Sequence, residues 1–280
     1  MRSFASIRRP FESMCAHAVA LGAAAALLAG CATVPENDPE ALAAYEEVND
    51  PLEPMNRYFF EVNYALDELF LKPIAGWYYI ALPNPAQDGV RNFLRNLSSP
   101  VIFANDLFQG ETDRAGTTLV RFVVNSTIGI VGLIDVASEM GFIYHDEDFG
   151  QTLAVAGVDE GPYLVLPLLG PSNPRDLGGR VVDIFLDPLT YIAYNNETLE
   201  ALMYARAGAT AVDARARNLK TLDEIREGSL DYYATIRSLY RQKRNDAIAN
   251  GEDSSDGYGV TLLDEEADGE AGDEQISGAN

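Results

Sequence analysis

Apolar and polar positions divide this chain into one early apolar run, a long series of amphipathic stretches and a polar end. Ala16 to Leu28 carries no Lys, Arg, Asp or Glu, and Arg2, Arg8 and Arg9 precede it. A run of that length behind positive charges matches a signal segment and is short of the roughly 20 residues of a spanning helix. From Asp50 onward, Met55, Tyr58, Phe59, Val62, Leu66, Leu69 and Phe70 recur at three- and four-residue spacing and predict an amphipathic helix. Asp50-Pro51-Leu52-Glu53 reads as its start, with a cap, an early proline and a capping box. Pro73 is expected to stop it. Ile74 to Leu82, which holds Trp77, Tyr78 and Tyr79, suits either an interfacial segment or a core cluster.

Further helices are expected around Val90 to Leu97, Val101 to Gln109 after a restart at Ser99-Pro100, and Thr112 to Val124. Others follow over Phe149 to Val155, from Asn173-Pro174 to about Phe185, and from Asn196 to about Leu219. The last opens at Thr221 and carries a buried stripe from Leu222 to Tyr240. Two stretches resist that pattern. Phe122 to Ala137 is uncharged up to Asp135 and broken by Gly129 and Gly132; it reads as a buried broken helix or as one lying in a single leaflet. Gly161 to Gly170 is apolar and broken by Pro162 and Pro167, so an extended loop or hairpin remains. The fold class is mainly α, one helical domain over residues 50–250 with a short apolar hairpin.

Leu28-Ala29-Gly30-Cys31 is a lipobox, so residues 1–30 are read as a lipoprotein signal peptide and Cys31 as an acylated N-terminal residue. Ala32 follows instead of Asp, which points to the outer membrane, periplasmic leaflet. Residues 31–49 are a flexible tether. The chain has a formal net charge of −23. The leader holds three Arg and one Glu, which leaves 17 basic and 42 acidic residues, net −25. Residues 251–280 carry ten acidic and no basic residues and read as a disordered acidic tail. Nucleic acid is set aside, because such a chain repels it. With Cys15 in the leader and Cys31 acylated, no disulfide framework is available.

Candidate chemistry is thin. His145-Asp146-Glu147-Asp148 reads as a solvated loop with neither EF-hand nor His-Glu-x-x-His spacing, so no metal and no other cofactor is expected. A lipid hydrolase would have to use His145, and the nearest approach to a nucleophile elbow is Gly170-Pro171-Ser172-Asn173-Pro174. The other alternative to transport is a structural envelope lipoprotein. No enzyme activity is expected.

Several stretches in order resemble the VacJ/MlaA lipoproteins. They are Asn49-Asp50-Pro51-Leu52-Glu53-Pro54-Met55-Asn56-Arg57, Val90-Arg91-Asn92-Phe93, Phe149-Gly150-Gln151-Thr152-Leu153, Gly161-Pro162-Tyr163-Leu164-Val165-Leu166-Pro167-Leu168-Leu169-Gly170 and Pro174-Arg175-Asp176. The resemblance covers roughly Asp50 to Tyr191 and continues beyond about Thr198 in helical character only. It implies a ring-like helical protein in the outer membrane with an amphipathic passage. Misplaced phospholipids would leave the outer leaflet through it for a soluble periplasmic lipid carrier, with trimeric porins as outer-membrane partners. The family-motif residues are Asp50, Pro51, Asn56, Arg57, Gln151, Gly161, Pro162, Pro174, Arg175 and Asp176. The expected lipid path uses Phe122, Ile128, Ile130 and Leu133 along the membrane, and Leu164, Leu166 and Leu168 on a hairpin at the mouth that could act as a gate.

Overall fold

The computed structural model describes residues 48–193 and 197–250. The stretches expected to be the signal peptide (residues 1–30), most of the tether and the acidic tail, and Cys31 with them, lie outside the described residues. The fold is mainly α, with one two-stranded hairpin among the described residues. In chain order the elements are α1 Glu53–Leu66, α2 Lys72–Ala81, α3 Asn84–Gln109, α4 Thr112–Thr127, α5 Val136–Glu139, α6 Phe149–Val155, β1 Leu164–Leu166, β2 Gly170–Ser172, α7 Pro174–Leu186, α8 Pro188–Ala193, α9 Glu197–Arg217, α10 Leu219–Gly228 and α11 Tyr232–Ile248.

Several boundaries differ from expectation, each for a physical reason. The N-cap of α1 is Leu52, with no side-chain cap, and Asp50 is buried instead, where it accepts from Asn56 Nδ2 at 2.8 Å. Pro73 does not stop the chain. The helix widens into a π turn, Asp67–Leu71, and continues as α2 with the proline in its first turn, where a missing N–H is tolerated. Ser99-Pro100 does not restart the chain either, since α3 runs through Pro100. On that turn the Ser98 and Ser99 hydroxyls donate back to the carbonyls of Leu94 and Arg95 at 3.2 and 3.3 Å, as serines inside a helix do, while the carbonyl that Pro100 leaves without its N–H is that of Asn96. The final segment is two helices, because Asp231 caps α11 by accepting from Ala234 N at 3.1 Å. The cap at Asn173 forms as expected, its Oδ1 accepting from Asp176 N at 2.7 Å.

Contacts divide the chain into two compact units, neither of them one stretch. Among the described residues, the first takes those up to Leu69, Pro100–Gly116 and Glu147–Thr190; the second takes Phe70–Ser99, Thr117–Asp146 and those from Tyr191 on. In the first unit α1 packs on β1, and α6 crosses α7 at bare backbone: a Cβ on Gly179 would stand 2.2 Å from Gly150 N. In the second unit α2 packs along α9, and Tyr78 donates to Asp213 at 2.8 Å while Lys72 meets Asp223 at 2.8 Å.

Candidate functional site

The interiors are polar. Among the described residues twenty polar or charged side chains are buried against ten apolar ones, and five of those ten are alanines. Asn56, Asn105, Asp50, Asp106 and Ser172 are the largest side chains shut away completely. Soluble domains bury their large aliphatic residues, so this distribution is inverted.

In the first unit one hydrogen-bonded network joins four elements. Asn105 of α3 donates to Asp183 of α7 at 3.0 Å and accepts from Thr152 of α6 at 2.9 Å. Gln109 donates to Glu147 at 2.8 Å, and Arg114 of α4 pairs with the same carboxylate at 2.6 Å. Burial pushes the Glu147 carboxyl up, and its bonds to Gln109 and Arg114 only partly oppose that. The stretch from His145 to Asp148 is therefore not a solvated loop: Glu147 is buried, and Asp148 caps α6 by accepting from Gln151 N at 2.9 Å. His145 Nε2 lies 3.2 Å from Thr118 Oγ1, and no metal-binding cluster occurs among the described residues.

The hairpin is held by asparagines that stand in for a third strand. Asn56 donates to Tyr163 O at 2.9 Å and accepts from Val165 N at 2.9 Å; seven residues on, Asn63 donates to Leu166 O at 2.9 Å and accepts from Leu168 N at 2.7 Å. A seven-residue step places both amides on one face of α1. Leu164 pairs with Ser172 and Leu166 with Gly170, so β1 is bonded along both edges. Tyr163 and Val165 face inward, Leu164 and Leu166 are half-buried, and Leu168 at the tip is 80% exposed with φ of 65°.

In the second unit Phe122, Ile128, Ile130 and Leu133 are all exposed, as are Val131 and Ile134. This overturns the expectation of a buried broken helix: α4 ends at Thr127 and a turn-rich loop leads to α5. The glycines face inward, since a Cβ on Gly129 would stand 2.2 Å from Ile134 O and one on Gly132 2.6 Å from Asn96 Cβ. That close approach turns the branched side chains outward. Ile130 and Val131 adopt φ of 53° and 59°, left-handed conformations that cost a β-branched residue on the order of 1–2 kcal/mol each. Polar bonds clamp the neck of the loop. Arg121 pairs with Asp135 at 2.8 Å and also donates to Phe142 O, while Asn125 donates to Asp135 at 2.9 Å and accepts from Ala137 N at 3.0 Å. Burial raises the Asp135 carboxyl, but its bonds from Arg121, Ser138 and Asn125 outweigh that and hold it below the usual carboxylate range.

On α2, Trp77 is 76% and Ile80 83% exposed, with Ile74 and Tyr79 also outward, so the core-cluster alternative for Ile74 to Leu82 does not hold. Bare aliphatic and aromatic surface of this extent marks an apolar environment or a partner. No helix among the described residues is long and apolar enough to cross a membrane.

The MlaA lipoprotein family model matches residues 48–247. The chain belongs to the MlaA lipoprotein family. It is 35% identical to the intermembrane phospholipid transport system lipoprotein MlaA of Haemophilus influenzae, over 80% of this chain and 87% of that protein. It is 32% identical to the protein of the same name from Escherichia coli, over 84% and 88%. A solved structure described as "Structural basis for maintenance of bacterial outer membrane lipid asymmetry" superposes with a TM-score of 0.63 at 32% identity, covering 71% of this chain and 98% of that one. The MlaA match reaches residue 247, well past Tyr191, about where the resemblance of the sequence motifs ends.

Most MlaA motif residues form structural joints. Asn49 donates to Gly161 O at 2.7 Å and accepts from Tyr163 N at 2.9 Å, so the first motif is tied to the hairpin motif. Gly161, at φ of 70°, packs against Pro174, where a Cβ would be 3.1 Å from the ring. Arg175 pairs with Asp176 at 3.1 Å, and Asn173 donates to Asp176 at 2.9 Å, all three buried. Gln151 is buried in α6, whereas Arg57 pairs with Glu53 at 2.7 Å at the surface. Sequence reasoning missed Asn63. The Asn56-to-Asn63 spacing beside an apolar extended run is the signal that could have found it.

Proposed function

We propose that this MlaA-family lipoprotein keeps the outer membrane asymmetric by withdrawing mislocalised phospholipids from the outer leaflet through an amphipathic passage and passing them to a soluble periplasmic carrier. The observation that carries this reading is the inverted distribution of its residues, with apolar side chains outward and hydrogen-bonded polar networks inward. A body set among acyl chains gains by exposing Ile, Leu and Trp, and polar groups inside it offer a lipid headgroup a partner it would lack in hydrocarbon. The Haemophilus influenzae and Escherichia coli relatives, lipoproteins of an intermembrane phospholipid transport system, support the same reading. Trimeric porins are the proposed outer-membrane partners, and no catalytic step is needed.

Trp77 is the sole tryptophan and stands outward, so it reports directly on embedding. On reconstitution into liposomes its emission is expected to shift to the blue and to be quenched by lipids brominated along the acyl chain. Emission that stays water-like and unquenched would sink the membrane-embedded reading.

Cys31 is the proposed anchor in the periplasmic leaflet, on the strength of the lipobox. Cys31→Ser should accumulate as uncleaved precursor without incorporating labelled palmitate, and normal labelling would refute the assignment. The hairpin is the proposed gate: Asn56 holds the backbone of β1, Asn63 holds the backbone of the tip through Leu168 N, and the Leu168 side chain stands outward. Leu166 is half-buried, so Leu166→Asp should leave a folded protein while placing a charge among acyl chains at a cost of roughly 2–3 kcal/mol. Cells carrying it should expose phospholipid at the surface and become sensitive to detergent. If the variant unfolds outright, the strand is core and the gate fails.

A further inference from the structure

We propose that the cleft in the second unit bounded by Arg95, Asn92, Asn96, Asn125 and Tyr144 is a subsite for the phosphodiester of an anionic, glycerol-headed phospholipid, held by the Arg95 guanidinium at its mouth. The proposal deepens the lipid-transport reading and rests on it.

Two arginines reach this cleft, and they differ. Arg121 is fully engaged, with Asp135 at 2.8 Å, Ser138 Oγ at 2.8 Å and the Phe142 carbonyl. Arg95 is half-buried with its guanidinium 4.2 Å from the centre of the Tyr144 ring, and no hydrogen-bond acceptor or carboxylate is seated on it among the described residues. Seated over the ring, the guanidinium is restrained there, and a guanidinium fork can take two oxygens of a phosphate side by side.

The cleft is also an exception in charge. Arg95 and Arg121 against Asp135 leave a positive lining in a chain of net −23. The other groups, Asn92, Asn96, Asn125 and Ser99, are neutral. The enclosed space is about 10 Å³, enough for a single water, so a phosphate rests on the mouth and does not enter.

Asn96 connects this polar spot to the apolar loop. Its Oδ1 is buried without a donor, its Nδ2 donates to Ser126 Oγ at 2.9 Å, and the bare backbone of Gly132 lies directly over it. An amphipath with its phosphate on Arg95 thus has the outward Ile130, Val131 and Leu133 beside it for its acyl chains. A zwitterionic headgroup brings an ammonium as well, and the one lining carboxylate, Asp135, is already taken by Arg121, Asn125 and Ser138. Asp146 lies outside the lining and accepts from the Tyr144 hydroxyl at 3.2 Å. An anionic headgroup is therefore preferred.

The test is calorimetric titration of the purified full chain with dihexanoyl phosphatidylglycerol, dihexanoyl phosphatidylcholine and inorganic phosphate, the lipids kept below their micelle concentrations. Both lipids carry the phosphodiester, but only the choline lipid sets an unmatched cation beside Arg95 and Arg121, so wild type should bind the glycerol lipid about tenfold more tightly. Arg95→Gln should abolish that preference. So should Asn92→Asp, which keeps Arg95 but seats a carboxylate three residues away on the same helix face, and it decides the matter should Arg95→Gln fail to fold. Competition by inorganic phosphate supports recognition of the phosphate group itself; phosphate binding with no lipid binding overturns a lipid subsite. Equal binding of both lipids before and after the substitutions keeps the transport reading and removes this subsite. A wild-type chain that binds neither lipid counts against the transport reading itself.

Discussion

Asn56→Leu is expected to be the most damaging single substitution in the first unit, lowering unfolding free energy by about 3–5 kcal/mol. Leucine is of similar volume, so packing is not what is lost. Asn56 is fully buried and makes three bonds: it donates to Asp50 at 2.8 Å and to Tyr163 O at 2.9 Å, and accepts from Val165 N at 2.9 Å. The substitution takes away the acceptor of a strand N–H and the donor to a strand carbonyl, and removes one donor from the Asp50 carboxylate; each buried polar bond lost this way costs about 1–3 kcal/mol. Against a typical total stability of about 5–15 kcal/mol, that is a large fraction. Asn56→Asp gives a diagnostic contrast. It keeps an acceptor for Val165 but loses both donors and sets a second carboxylate beside Asp50, so it should be at least as damaging at neutral pH and partly recover in acid, where one carboxyl is protonated. Chemical denaturation of the two variants at pH 7 and pH 4.5 measures both effects. A loss under 1 kcal/mol for Asn56→Leu would show that the hairpin does not depend on this clamp.

Gly179→Ala should cost roughly 3 kcal/mol or more, at the upper end for overpacking. The added methyl would stand 2.2 Å from Gly150 N and 2.6 Å from Gly150 Cα. Those are backbone atoms of α6, which cannot swing aside as a side-chain tip could, so α6 and α7 must separate. Separation would pull Thr152 from Asn105, and Asp183 from both Asn105 and Phe149 N, because all of these bonds span the α3, α6 and α7 network. The neighbouring Gly178→Ala is the control: nothing lies within 4 Å of its Cβ position. It should be neutral or stabilising by up to about 1 kcal/mol, since alanine is the better helix former. Thermal melts of the pair read the difference. Similar melting temperatures would mean that the helix crossing is not closely packed.

Helix content was legible along the chain because an amphipathic stripe is a local property. Spacings of three and four residues placed α1 and α4 close to where they lie, the Asn173-Pro174 start placed α7 with the cap its residue type predicts, and an Ala-rich stretch placed α9. The proline boundaries misled for an equally local reason. A proline forbids one backbone hydrogen bond, but whether the chain breaks, widens or carries on depends on what replaces that bond. At Pro73 the chain widens into a π turn, and at Pro100 the helix runs on with one backbone bond fewer.

The candidate site divides in the same way. Sequence alone determined that the chain carries a lipobox at Cys31, that its helices are amphipathic, that two stretches are too apolar and too broken for ordinary elements, and that its motifs resemble the MlaA lipoproteins. Only the tertiary structure decided which way those stretches face. Periodicity fixes that one side of a helix is apolar, yet it is indifferent to whether that side meets a core or a membrane, because the transfer free energy of a leucine is favourable in both. Burial of Asn56, Asn105, Asp106 and Arg121 inside, with Trp77, Ile80 and Ile130 outside, settled the direction. The pairing of Asn56 and Asn63 with β1, and the seating of the Arg95 guanidinium over the Tyr144 ring, join residues far apart in sequence. Such contacts arise from the path of the backbone, here from Gly129, Gly132, Gly150 and Gly179 at close approaches, and no local pattern of side chains encodes them.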